Sequence, residues 1–234
     1  MVDVAFTPAA ALEAELSIVI DVLRATSTIV QALDAGYRRV LCVPELDAAR
    51  ALAAPGRVLA GERLCVPPPG FELGNSPAEM IAPRAEELVL TTTNGTRAIA
   101  RAAELSPVVL IAGLLNLDAV IAAAHGRSVQ IVCAGVVGQP ALDDAYVAGR
   151  IVERLEAPPS DTALVACAIA AVYPCAYDAL AASTSARMLI ATGLAADIEW
   201  CARESVTDCV PRVERLDRGA TIIDKPQIVF SKAA

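Results

Sequence analysis

Ser17-Ile18-Val19-Ile20-Asp21-Val22-Leu23-Arg24-Ala25-Thr26-Ser27-Thr28 begins as an apolar run and turns abruptly polar. The run reads as a buried strand closed by an acid, because a strand covered on both faces need not alternate. Residues 25–35 follow with helical spacing; Thr26, Ser27 and Thr28 stand at the start to cap the helix, and Gly36 ends it. The pattern continues with a strand at 39–43, a helix at 45–53 and a strand at 57–60. Strand and helix in alternation predict βαβ units and a largely parallel sheet.

Residues 61–77 break the rhythm. Pro67, Pro68, Pro69 and Gly70, then Gly74-Asn75-Ser76-Pro77, forbid regular structure over a long stretch. Phe71 and Leu73 lie among these prolines, so a fixed loop near a site is expected. Strands at 88–92, 108–112 and 129–133 then alternate with helices at 94–103, 116–124 and 142–155. Pro158 and Pro159 mark a sub-division near 156–160. Residues 161–201 are Ala-rich and helical, cut by Pro174 and Gly193, and short strands are expected at 210–213 and 221–223. The expected fold is α/β: one domain over 1–234, layered α/β/α, with a mostly parallel or mixed sheet and a helical C-terminal part.

Composition removes several functions. A net charge of −8 argues against a nucleic-acid groove, and 3% aromatic residues leave little for base stacking. The apolar stretch 105–124 is interrupted by Pro107, Gly113, Asn116 and Asp118, so no membrane span is expected. Without a basic, then apolar, leader at the N-terminus, the expected location is cytoplasmic. The apolar content, high for this length, leaves room for a homodimer interface. Cys42, Cys65, Cys133, Cys167, Cys175, Cys201 and Cys209 form no C-x-x-C pair, so a disulfide scaffold or structural zinc is not expected. The single histidine, His125, reads as a helix C-cap, and lysine occurs only at Lys225 and Lys232. An anion must therefore be met by arginine, hydroxyls or backbone amides.

Four strand ends are followed at once by polar residues, where open α/β sheets bind ligands. Asp21, a carboxylate at a strand end, suits Mg²⁺, and the fork of Arg24 matches phosphate. Thr91-Thr92-Thr93-Asn94-Gly95-Thr96-Arg97 reads as a strand, a tight turn whose Gly95 permits positive φ, and a helix N-terminus that forms an anion site with Thr96 and Arg97. Asp143 and Asp144 follow the glycines of Gly135-Val136-Val137-Gly138; adjacent acids point apart, so one is expected at a metal or as a base and the other in a structural role. Glu62 stands between Gly61 and Arg63 beside the long loop.

In order and spacing these runs resemble the 2-phosphosulfolactate phosphatase family, magnesium-dependent enzymes of coenzyme M biosynthesis. The matching segments are 20–28, Ala60-Gly61-Glu62-Arg63, Gly70-Phe71 with Gly74-Asn75-Ser76-Pro77, 91–96, Ala134-Gly135, Leu142-Asp143-Asp144 and Ala148-Gly149. This chain departs at Glu72 and Asp143, where the family often has Asp and Glu, and lacks the histidine found near 183–187 in many members. The resemblance implies hydrolysis of the phosphate ester of a small sulfonated hydroxy acid. It implies catalytic roles for Asp21, Arg24, Asn94, Thr96 and Arg97, and substrate binding by Thr26, Ser27, Glu62, Arg63, Asn75, Ser76 and Gly95. Mg²⁺ is then expected on Asp21 with Asp143 and Asp144.

Two rival readings exist. A haloacid-dehalogenase-like phosphatase would use Asp21 as nucleophile, but its D-x-D pattern meets Leu23 here and its core lysine is lacking. A non-catalytic phosphometabolite-binding protein would keep the pocket without turnover.

Overall fold

The computed structural model describes residues 1–217 and 219–225; Lys232 lies outside them. Nine strands form one sheet: β1 Val2–Ala5, β2 Leu16–Ile20, β3 Arg39–Cys42, β4 Arg57–Gly61, β5 Glu87–Thr91, β6 Val109–Ala112, β7 Val129–Cys133, β8 Arg212–Asp217 and β9 Ala220–Asp224, in the order β1-β7-β2-β6-β8-β9-β3-β5-β4. β1 is not legible in the sequence. Its four residues carry too little pattern, and its strand character comes from parallel pairing with β7, Val2 opposite Val129.

The sheet is mixed in a particular way. β1, β7, β2 and β6 run parallel, and β3, β5 and β4 form a second parallel block. The β8–β9 hairpin lies between them and pairs antiparallel on both sides. Those three reversals give the blocks opposite directions, which on a flat sheet would put their carboxyl ends at opposite edges. Strand twist offsets this in part: at roughly 20–25° per step, the five steps from β2 to β5 amount to about a third of a turn.

Alternate residues of β2, which is buried throughout, face different layers. Val19 joins Ile111, Val132, Val40 and Leu88 against Ile29 of α1 (Ala25–Ala35) and Ile99 of α3 (Gly95–Leu105). Ile18 and Ile20 face the other way, against α4 Leu117–Ala124, α5 Leu142–Val152, α6 Asp161–Ala170, α7 Ala176–Ala181, α8 Thr184–Ala191 and α9 Ala196–Cys201. The short α2, Leu46–Ala51, covers Leu41, Leu59 and Val89 of the second block. Helices thus cover both faces, giving the layered α/β/α arrangement with a helical C-terminal part. His125 is the C-cap of α4, and the cysteines are free.

The segment at Pro158 and Pro159 lies along the edge strand: Val2 N–H donates to Pro158 O and Ser160 N–H to Val2 O, both at 2.9 Å. The long loop is fixed, as expected. Leu73 is buried, its carbonyl accepts Gly61 N–H at 3.3 Å, and the Glu72 carboxylate accepts Leu59 N–H at 3.0 Å.

At the opening of β5, buried Glu87 accepts Arg57 Nε at 2.8 Å and Arg38 Nη2 at 2.5 Å, with Arg39 Nη1 at 3.6 Å. Glu87→Gln removes the charge these half-exposed arginines share, so it should cost about 1–3 kcal/mol of stability in urea unfolding. An unchanged midpoint would show that the network contributes nothing.

Candidate active site

The ends of β2, β4, β5 and β7 meet at one cleft of about 70 Å³, lined by Asp21, Arg24, Glu62, Asn75, Thr93 and Asn94 on its polar side. Leu23, Leu64, Val137, Met188 and Leu189 form much of the rest. Both strand blocks contribute.

Side-chain oxygens hold the loops in place. Glu62 Oε1 accepts Thr93 N–H at 2.7 Å and its Oε2 accepts Cys65 N–H at 3.0 Å, joining the loops after β4 and β5. Asp144 Oδ1 accepts Val22 N–H and Oδ2 accepts Gly135 N–H, both at 3.0 Å, joining those after β2 and β7. Asn94 Oδ1 accepts Val137 N–H at 3.2 Å, linking one block to the other.

Asp21 is committed on one side only. Its Oδ1 accepts Ala25 N–H at 3.3 Å, and no described residue donates to Oδ2. Asp21 thus satisfies an amide at the start of α1, which the threonines were expected to do. Thr26 and Ser27 are fully buried instead: Thr26 Oγ1 accepts Asp21 N–H at 3.1 Å, and Ser27 Oγ donates to Val22 O at 2.8 Å. Neither lines the cleft. Gly95 is the first residue of α3, without positive φ; its lack of a side chain serves close approach. A Cβ there would lie 2.5 Å from both Asp21 Oδ2 and Ala25 Cβ.

The other expected residues do not line the cleft itself, though Asp143 stands near enough to Asp21 for its charge to be felt there. Arg97 is exposed and paired with Glu45 at 2.8 Å, since the first turn of α3 points its side chain outward. Thr96 is buried, its hydroxyl donating to Thr92 O at 2.9 Å. Arg63 donates to Pro44 O at 2.7 Å and Thr91 Oγ1 at 3.0 Å, bracing the loop from behind. Ser76 Oγ donates to Asp197 at 2.6 Å. Asp143 accepts Ser185 Oγ at 3.2 Å and is buried at the start of α5. Among the described residues no three His, Cys, Asp or Glu side chains close around one point, so Asp21, Asp143 and Asp144 are not a ready-made three-ligand cage. Asp144 is moreover committed elsewhere, both of its oxygens being taken by amides.

The sequence reading passed over Thr93, Ser185 and Asp197. Thr93 lay inside the threonine run, but nothing local distinguishes it from Thr91 and Thr92. Thr93 Oγ1 is buried without a partner among the described residues, as is Asn75 Oδ1, and both residues line the cleft. Buried polar atoms left unpaired are costly, and two in one cleft point to a ligand.

The acids feel one another. Burial, then the Asp143 and Glu62 carboxylates, pushes Asp21 up to about 7. Burial pushes Asp143 up to about 6. Burial and the charges of Asp143 and Asp21 hold Asp144 well above the usual carboxylate range. Asp21 and Asp143 therefore keep protons in the folded chain at pH values where the unfolded chain has lost them. Metal-free stability should fall on their account as pH rises from about 4 to about 7. In EDTA, Asp21→Asn should raise Tm by several degrees at pH 8 and leave it nearly unchanged at pH 4; an equal shift at both pH values would contradict this. Gly95→Ala should cost about 1–3 kcal/mol by overpacking and about a hundredfold in turnover by displacing Asp21, measured by melting and steady-state assay. A folded variant with full turnover would show that this approach is not critical.

Residues 4–215 match the model of the family described as 2-phosphosulpholactate phosphatase. A Thermus thermophilus protein named probable 2-phosphosulfolactate phosphatase is 39% identical, over 84% of this chain and 87% of its own. A Thermotoga petrophila protein of the same name is 37% identical, over 90% of this chain and 94% of its own. The 2-phosphosulfolactate phosphatase of Methanothermobacter thermautotrophicus is 36% identical, over 84% and 85%. With the match running through nearly all of its length, the chain belongs to the 2-phosphosulpholactate phosphatase family.

Proposed function

We propose that the chain hydrolyses the phosphate ester of 2-phosphosulfolactate to sulfolactate and phosphate, with Mg²⁺ held by Asp21 and Asp143. The observation that carries the reading is the pair of unpartnered buried atoms, Asn75 Oδ1 and Thr93 Oγ1, beside Asp21 and Arg24 in one cleft. The relatives' names supply the substrate.

The donors suit Mg²⁺. It takes hard oxygen ligands, commonly one or two carboxylates completed by water and substrate phosphate rather than a full protein cage. Asp21 Oδ2 has no donor among the described residues, and Asp143, which shares a field with Asp21, is bonded by Ser185. Bound Mg²⁺ would supply Lewis-acid polarisation of the phosphoryl group. Arg24 offers charge to the phosphoryl oxygens, and the Thr93 hydroxyl donates to one of them. Asn75 Oδ1 accepts from the attacking water. Asp144 and Glu62 hold the loops, with every carboxylate oxygen on an amide. Hydrolysis breaks the P–O ester bond: water's oxygen goes to phosphorus and a proton to the leaving alkoxide.

Phosphate release with Mg²⁺ should be compared for 2-phosphosulfolactate, phospholactate, phosphoglycerate and phosphoglycolate. The highest kcat/KM is expected for 2-phosphosulfolactate, abolished by EDTA and lowered about a thousandfold or more in Asp21→Asn. Release from none of the four would refute the reading. Full Mg²⁺-dependent activity in Asp21→Asn would refute the role of Asp21.

A further inference from the structure

Arg24 is the one cationic side chain lining the cleft among the described residues, and it is almost wholly buried, 3% exposed. Its Nη1 donates to Asp197 Oδ2 at 2.7 Å, and Asp197 is itself 5% exposed. Asp197 Oδ1 accepts Ser76 Oγ at 2.6 Å. No other guanidinium N–H of Arg24 bonds to a described residue. One carboxylate of α9 thus fixes two loops at once, the one after β2 and the one carrying Asn75.

We propose that Asp197 is the positioning residue for Arg24: it holds one edge of the guanidinium so that the other donors stay aimed into the cleft. A buried guanidinium without a counter-charge is strongly disfavoured, and a long side chain held at one edge loses little freedom on meeting an anion. The Ser76 hydroxyl on the second oxygen keeps the carboxylate from rotating away and ties Arg24 to the Asn75 backbone. The proposal rests on the reading of Arg24 as the phosphoryl-binding arginine.

The test is a double-mutant cycle on the full chain, read by kcat and KM for 2-phosphosulfolactate and by calorimetric affinity for inorganic phosphate with Mg²⁺. Asp197→Asn should lower kcat/KM and phosphate affinity about tenfold or more, as Arg24→Gln does; in the Arg24→Gln background it should change them less than about twofold. Factors that multiply across the cycle would overturn the proposal, as would a folded Asp197→Asn with wild-type values. If Asp197→Asn alone does not fold, Ser76→Ala and the charge-free pair Arg24→Gln/Asp197→Asn decide. Ser76→Ala should lower phosphate affinity about two- to fivefold, and only where Arg24 is present; equal loss without Arg24 would overturn the proposal. Wild type that binds phosphate but releases none would refute the proposed function while the phosphate cycle still judges Asp197.

Discussion

Like charges buried together are the constraint on which this structure turns. Asp21, Asp143 and Asp144 are all removed from water, Glu62 adds its field, and the lining cation Arg24 is already paired with Asp197. Coulomb repulsion in so poorly solvated a place favours protonation, or a cation brought in from outside. The arrangement persists because several of these oxygens also hold backbone amides, so the acids that repel one another also bind the loops together.

That double role explains the division of labour. Glu62 and Asp144 give both oxygens to amides and span neighbouring strand ends. Asp21 gives one and keeps the other for the cleft. Gly95 marks the closest approach of α3 to that free oxygen, linking the first block's acid to the second block's helix. The hairpin of β8 and β9 joins the two opposed blocks into one sheet, and both blocks send loops to the cleft.

The sequence revealed the α/β alternation, the fixed loop at 61–77 and the segments that meet at the cleft, because each depends on local pattern. It did not reveal the reversal between blocks. Two short strands near the C-terminus carry no sign of where in the sheet they insert. Arg97 was expected at the site because it begins a helix there, yet the helical turn points it to Glu45. Thr26 and Ser27 look like ligands in a list of hydroxyls and prove to be satisfied by nearby backbone. Asp197 was invisible for the opposite reason: in an Ala-rich helical tract a first-turn acid reads as helix-dipole complement, and its partners are 121 and 173 residues away.

The central claim, that Asp21 opens a buried acidic cleft to a divalent cation, is tested most directly by calorimetric titration of Mg²⁺ into the metal-free chain at pH 8. The account predicts one saturable site per chain, lost in Asp21→Asn. Undiminished binding in that variant, or none in the wild type, would contradict it.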